Sequence, residues 1–158
     1  MVIIHGECRS GKTAKALSLL NKKRKSMYFV LDSDKSILKL KIENLDIRFI
    51  TNCFQIDIEY ELMSNGGMIK NPVSQVVIDP INFIIRKGKE SIIDIIEKLR
   101  SIEDIYKVEI ILVMNDLFHF PEERLNKLED VILVKTNNID FLELRGKGPN
   151  KKIRTKVS

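Results

Sequence analysis

The sequence has no tryptophan, only two cysteines, four prolines and seven glycines among its 158 residues. Cys8 and Cys53 by themselves cannot build a disulfide framework or a cysteine metal cluster. No apolar run approaches the roughly 20 residues needed to cross a bilayer, so no membrane partner is expected. The chain opens on a strand-like apolar run rather than a basic and then apolar leader, which argues against a signal peptide. Repeats, linkers and low-complexity stretches are also missing. These absences point to one folded domain over residues 1–158 with a cytoplasmic location.

What is present is an ordinary folding composition, 44% hydrophobic and 31% charged, with a net charge of +5 and a pI of about 9.2. A basic balance favours anionic partners, and its distribution is uneven. Arg145, Lys147, Lys151, Lys152, Arg154 and Lys156 close the chain with no acid among them, and Lys22, Lys23, Arg24 and Lys25 form a second run. Abundant isoleucine and the excess of Lys over Arg suggest an AT-rich genome, bacterial, viral or phage.

Apolar runs of strand length alternate with segments of helical period, the pattern of a parallel sheet with crossover helices. Strands are expected at 2–5, 27–31, 47–50, 75–79, 109–114 and 131–135, nearly continuous in Val, Ile and Leu as strands covered on both faces require. Helices are expected at 12–20, 36–42, 54–63, 91–105 and 122–128. In the fourth, Ile92, Ile95, Ile96, Leu99 and Ile102 recur at helical spacing. Pro121 with Glu122 and Glu123 marks the start of the last. "IDFLELR" and "KIRTKVS" flank "GKGPN", which suggests a terminal antiparallel hairpin on the sheet edge. The expected fold class is α/β, a mostly parallel sheet with helices on both faces.

The most specific motif is "GECRSGKT": Gly6, Glu7, Cys8, Arg9, Ser10, Gly11, Lys12 and Thr13. It has the G-x-x-x-x-G-K-[ST] spacing, with an apolar strand before it and a plausible helix after it. Glycines at those positions let backbone N–H groups wrap phosphates at a helix N-terminus. Lys12 would reach the β- and γ-phosphates, and Thr13 would offer a hydroxyl to Mg²⁺. Asp79, after Val76-Val77-Ile78 at the end of a neighbouring strand, is the second candidate for the metal; its alternative role is to start a turn with Pro80. ATP and Mg²⁺ are the expected ligands.

Further segments resemble RecA-like ATPase cores, in the right order from Gly6 to about Pro149. "FVLDSDKSI" resembles the family's strand ending in Asp-x-Glu, whose Glu activates the attacking water; Asp34 stands in its place. "LVMNDLF" resembles the strand ending in Asn-Gln, whose Gln senses the γ-phosphate; Asn115 matches and Asp116 replaces the Gln. "LRGKGP" resembles the basic strand end before Gly-Pro, so Arg145 and Lys147 are candidates for reaching a neighbouring subunit's nucleotide. The resemblance thus implies catalytic roles for Lys12, Asp34 and Asp116. Asp34 could equally cap the next helix, and Asp116 could merely begin a turn.

Arg86, Lys87 and Lys89 around Gly88 could meet nucleic-acid phosphates, or form a solvated turn. Phe118, His119 and Phe120 could stack on bases, but Glu122 and Glu123 lie beside them and core packing is the simpler role. His5 is expected to be a satisfied strand histidine, and Cys8 a small filler with some reactivity.

The functional expectation is an ATP-binding, hydrolysing RecA-like protein acting in recombination, repair or replication, with single-stranded DNA, another copy or a separate protein as partner. Its competitors are a regulatory scaffold with weak hydrolysis and a small nucleoside or nucleotide kinase. The kinase reading lacks a zinc ribbon and an arginine-rich lid, and a GTPase lacks its Asn-Lys-x-Asp motif.

Overall fold

Six short runs rich in Val, Ile, Leu, Met and Phe form the strands of a parallel sheet: β1 (Val2–Gly6), β2 (Ser26–Val30), β3 (Leu45–Phe49), β4 (Gln75–Asp79), β5 (Glu109–Asn115) and β6 (Ile132–Thr136). Their order is β3-β2-β4-β5-β1-β6, and every pairing is parallel. The computed structural model describes residues 1–31, 36–49, 59–60, 62–63, 72–82, 91–116 and 122–136.

Successive strand residues point to opposite faces, and both faces are apolar. One face carries Ile3, Met27, Phe29, Val76, Ile78, Ile110, Leu112 and Leu133. It is covered by helix α2 (Ile92–Tyr106), through Ile95, Ile96, Leu99 and Ile102, and by α3 (Glu122–Leu125), through Leu125. The opposite face carries Ile4, Tyr28, Val30, Val77, Ile111, Val113 and Val134, covered by Ala16 of α1 (Lys12–Leu19) and by Ile37. This division agrees with right-handed crossovers. From β1 the chain steps one way across the sheet to β2 and β3, and from β3 it steps back to β4, β5 and β6.

The helices follow from local chemistry. Ser91 caps α2 by accepting from the Asp94 amide at 3.2 Å, while the Asp94 carboxylate accepts from the Ser91 amide at 3.1 Å. Those contacts with Ser91 hold the Asp94 carboxyl below its ordinary pKa. The segment expected to be helical at 36–42 is a single 3-10 turn, Ser36–Lys39, which places Ile37 on the sheet and leaves Leu40 and Ile42 exposed. α3 is shorter than expected, because after Leu125 the chain tightens into i→i−3 bonds, Lys127 N to Arg124 O and Leu128 N to Leu125 O. Of the helix expected at 54–63, residues 59–60 and 62–63 are described and are helical.

The expectation of an antiparallel hairpin on the sheet edge needs correction, since the described sheet is all-parallel out to both edges, β3 and β6. The tail assigned to that hairpin lies outside the described residues. Among the described residues, no helix is long and apolar enough to cross a membrane.

The layered core makes a direct prediction. Ile96 is fully buried between α2 and the sheet, whereas Ile105 on the same helix is 67% exposed. Ile96→Ala is expected to cost about 2–5 kcal/mol in urea unfolding with an unchanged slope, and Ile105→Ala less than about 0.5 kcal/mol.

Candidate functional site

The site lies at the C-terminal ends of β1, β4 and β5. Open α/β sheets bind ligands at such strand ends, where the direction of winding reverses. The chain leaves β1 at Gly6 and enters α1 at Lys12 after a five-residue loop, Glu7 to Gly11. Gly6 is hemmed in. A Cβ there would stand 2.5 Å from Thr136 O, 2.6 Å from Thr136 Oγ1 and 2.7 Å from Ser10 Oγ. The absence of a side chain lets the loop fold against β6, and a 2.6 Å hydrogen bond joins Ser10 Oγ to Thr136 Oγ1. Gly11 adopts φ 84° at the N-cap of α1 and contributes no side-chain cap. Arg9 also sits in the left-handed region, at φ 64°, which costs a non-glycine residue about 1–2 kcal/mol.

Lys12 turns back into this loop. Its Nζ donates to Gly6 O at 3.1 Å, to Ser10 Oγ at 3.3 Å and to Glu7 O. Burial pushes its pKa below the ordinary lysine value, against the opposing negative charge of Cys8, Asp79, Asp116 and Glu7. Glu7, Cys8, Arg9 and Thr13 are exposed, whereas Gly6, Ser10 and Lys12 are buried. The loop therefore presents a polar outer rim over a buried ammonium.

Thr13 Oγ1 donates to Asp79 Oδ2 at 2.7 Å, so the two metal candidates meet. Asp79 is not on the strand beside β1, as the sequence suggested; β5 lies between them. Strands about 4.8 Å apart put β4 roughly 10 Å from β1, a gap that α1 bridges. The far end of α1 is tied to the same strand, because Gln75 Oε1 accepts from Asn21 N at 2.7 Å and Gln75 Nε2 donates to Leu19 O at 3.5 Å. Tyr28 on β2 donates its hydroxyl to the same Asp79 oxygen. Burial, reinforced by the neighbouring Asp79 charge, raises the Tyr28 phenol far above its usual pKa, so it remains a neutral donor.

The intervening strand carries Asn115 level with Gly6 in the β1–β5 register. Asp116 does more than begin a turn. Its amide donates to Gly6 O at 2.8 Å, and its carboxylate takes a 2.9 Å hydrogen bond from Nδ1 of the buried His5. Asn82, also buried, brackets the end of β5, donating to Asn115 O at 3.0 Å and accepting from Asn115 N at 2.7 Å.

Lys12, Thr13, Asp79 and Asp116 thus converge on one strand-end region. Tyr28, Asn82 and Thr136 join them without any motif to announce them. Asp34, Arg86, Lys87, Lys89, Phe118, His119, Phe120, Arg145 and Lys147 lie outside the described residues. Among the described residues, no group of three or more His, Cys, Asp or Glu could hold a metal ion alone. The Thr13 hydroxyl and Asp79 carboxylate are hard oxygen donors of the kind Mg²⁺ accepts when phosphates and water complete its shell. Comparison with known protein families and with curated proteins finds no match to this chain.

The crowding at Gly6 is open to test. Gly6→Ala must displace a backbone carbonyl and is expected to destabilise the fold by about 1–3 kcal/mol. Thr136→Val, which removes only the hydroxyl that Ser10 meets, is expected to cost about 1 kcal/mol by the same denaturation measurement.

Proposed function

We propose that the chain binds a nucleoside triphosphate with Mg²⁺ through Gly6–Thr13 and hydrolyses it slowly, in the manner of a RecA-like core. One observation carries the reading: Lys12 is folded into the β1–α1 loop while Thr13 meets Asp79 at 2.7 Å across an intervening strand. Each residue then has a role. Lys12 exchanges its contacts with Gly6 O and Glu7 O for phosphate oxygens, whose charge favours an ammonium that burial disfavours. Thr13 goes on donating its hydroxyl hydrogen bond to Asp79 and turns lone pairs toward the cation, which would neutralise charge on the phosphates. The start of α1 has no side-chain cap, and a helix N-terminus of that kind favours phosphate.

Strand order supports the RecA-like reading, because the strand ending in Asn115 and Asp116 separates the loop from Asp79. The resemblance calls for a γ-phosphate-sensing residue at that position. Slow turnover follows from its chemistry. Asp116 is held by His5, and an ionised carboxylate accepts hydrogen bonds but donates none. Asp34 is the proposed water-activating acid, one methylene shorter than the family's Glu. The same observation favours a second reading, a nucleotide-dependent scaffold whose partner is another protein.

Coupling to DNA rests on sequence charge alone, on Arg86, Lys87 and Lys89 and on the basic tail with Arg145 and Lys147. The decisive measurements are ATP binding and turnover with and without single-stranded DNA. Lys12→Ala is expected to weaken ATP binding on the order of 100-fold and to abolish turnover. Unchanged ATP affinity in that variant would refute the nucleotide reading. Equal rates with and without DNA at low salt would remove the DNA-coupled part. Asp34→Glu is expected to raise turnover, and no change would dismiss Asp34 as the acid.

A further inference from the structure

Asp79 Oδ2 accepts hydrogen bonds from two hydroxyls, both from the face of the sheet that α1 covers. Thr13 comes from the exposed start of α1. Tyr28 comes from β2, the strand that pairs with β4 on the side away from β1, in a register that sets Tyr28 opposite Val77 and Val30 opposite Asp79. The two donors differ in how they are held. The Tyr28 side chain is fully buried in the cluster that includes Ala16, Val30, Ile37 and Val77, so core packing fixes where its hydroxyl points. Thr13 belongs to the segment that must respond to a ligand.

We infer that Tyr28 is a positioning residue: its buried hydroxyl holds the Asp79 carboxylate in the orientation in which, with Thr13, it supports a divalent cation. This rests on the reading of Thr13 and Asp79 as the magnesium pair. Metal sites commonly rely on such outer contacts to aim an inner carboxylate, and their loss typically weakens metal affinity about 10- to 100-fold. Thr13, the other hydroxyl described on that oxygen, is the group whose lone pairs the cation would take. A tyrosine satisfied by the nearest acceptor, with no further role, would influence stability and leave the cation dependence of binding unmoved.

The test is equilibrium dialysis of ATP across a range of Mg²⁺ concentrations, and again in EDTA, for the unmodified chain and Tyr28→Phe. The expected result is a Mg²⁺ half-saturation raised about tenfold in Tyr28→Phe, with ATP affinity in EDTA changed less than about twofold. An unchanged Mg²⁺ half-saturation, beside clear Mg²⁺-dependent binding by the unmodified chain, overturns the inference and spares the nucleotide reading. Failure of the unmodified chain to bind ATP overturns both.

A second measurement leaves Tyr28 in place, should the Phe variant not fold. The chain has no tryptophan and three tyrosines, so Tyr60→Phe with Tyr106→Phe makes Tyr28 the sole long-wavelength emitter. A hydrogen bond to a carboxylate quenches tyrosine emission, and a cation that withdraws charge from Asp79 weakens that quenching while the bond itself stays in place. Emission is expected to rise with Mg²⁺ and ATP together but not with ATP in EDTA. Identical emission under the two conditions overturns the proposal.

Discussion

There is no room for a side chain where β1 ends, and much of the site follows from that. With Gly6 pressed against Thr136 and Ser10, the loop turns back over β6 instead of continuing outward. The same turn brings the Lys12 ammonium under the loop and sets α1 on its course across β5 toward β4. A bulkier residue at position 6 would push the loop from β6 and carry Lys12 and Thr13 with it.

The polar groups around this loop are costly to bury, and the fold compensates for the main ones through defined partners. Lys12 is buried against backbone carbonyls and sits among negative groups from two strand ends, those of β4 and β5, and from the loop itself. His5 is buried beneath Asp116, and Tyr28 beneath Asp79. In both pairs a core side chain on one strand holds a half-exposed carboxylate on another. The core thereby positions the acids, and the surface loop supplies the groups able to move.

The fold was legible in the sequence wherever a local pattern carried it. Strands buried on both faces need unbroken apolar runs, and Gln75–Asp79 has the bounds the sequence suggested. The others differ by at most two residues at an end, where pairing with a neighbour decides the limit. The segment after β2 was harder to read. Its apolar residues fit a helical period, but in the described chain a single turn places Ile37 on the sheet. The loop, Lys12 and Thr13 were readable from spacing, because eight consecutive residues contain the whole motif.

What the sequence determined by itself is therefore local: the strand runs, the amphipathic α2, and a glycine-framed loop ahead of a lysine and a threonine. Tertiary structure decided the rest. It inserted β5 between β1 and β4, so Asp116 flanks the loop while Asp79 reaches Thr13 from one strand further away. It also paired Tyr28 with Asp79 across 51 positions, His5 with Asp116 across 111, and Ser10 with Thr136 across 126. No short-range periodicity encodes such pairs. They exist because strand order and register bring the ends of distant strands side by side, and both are set by how two apolar faces are covered at once.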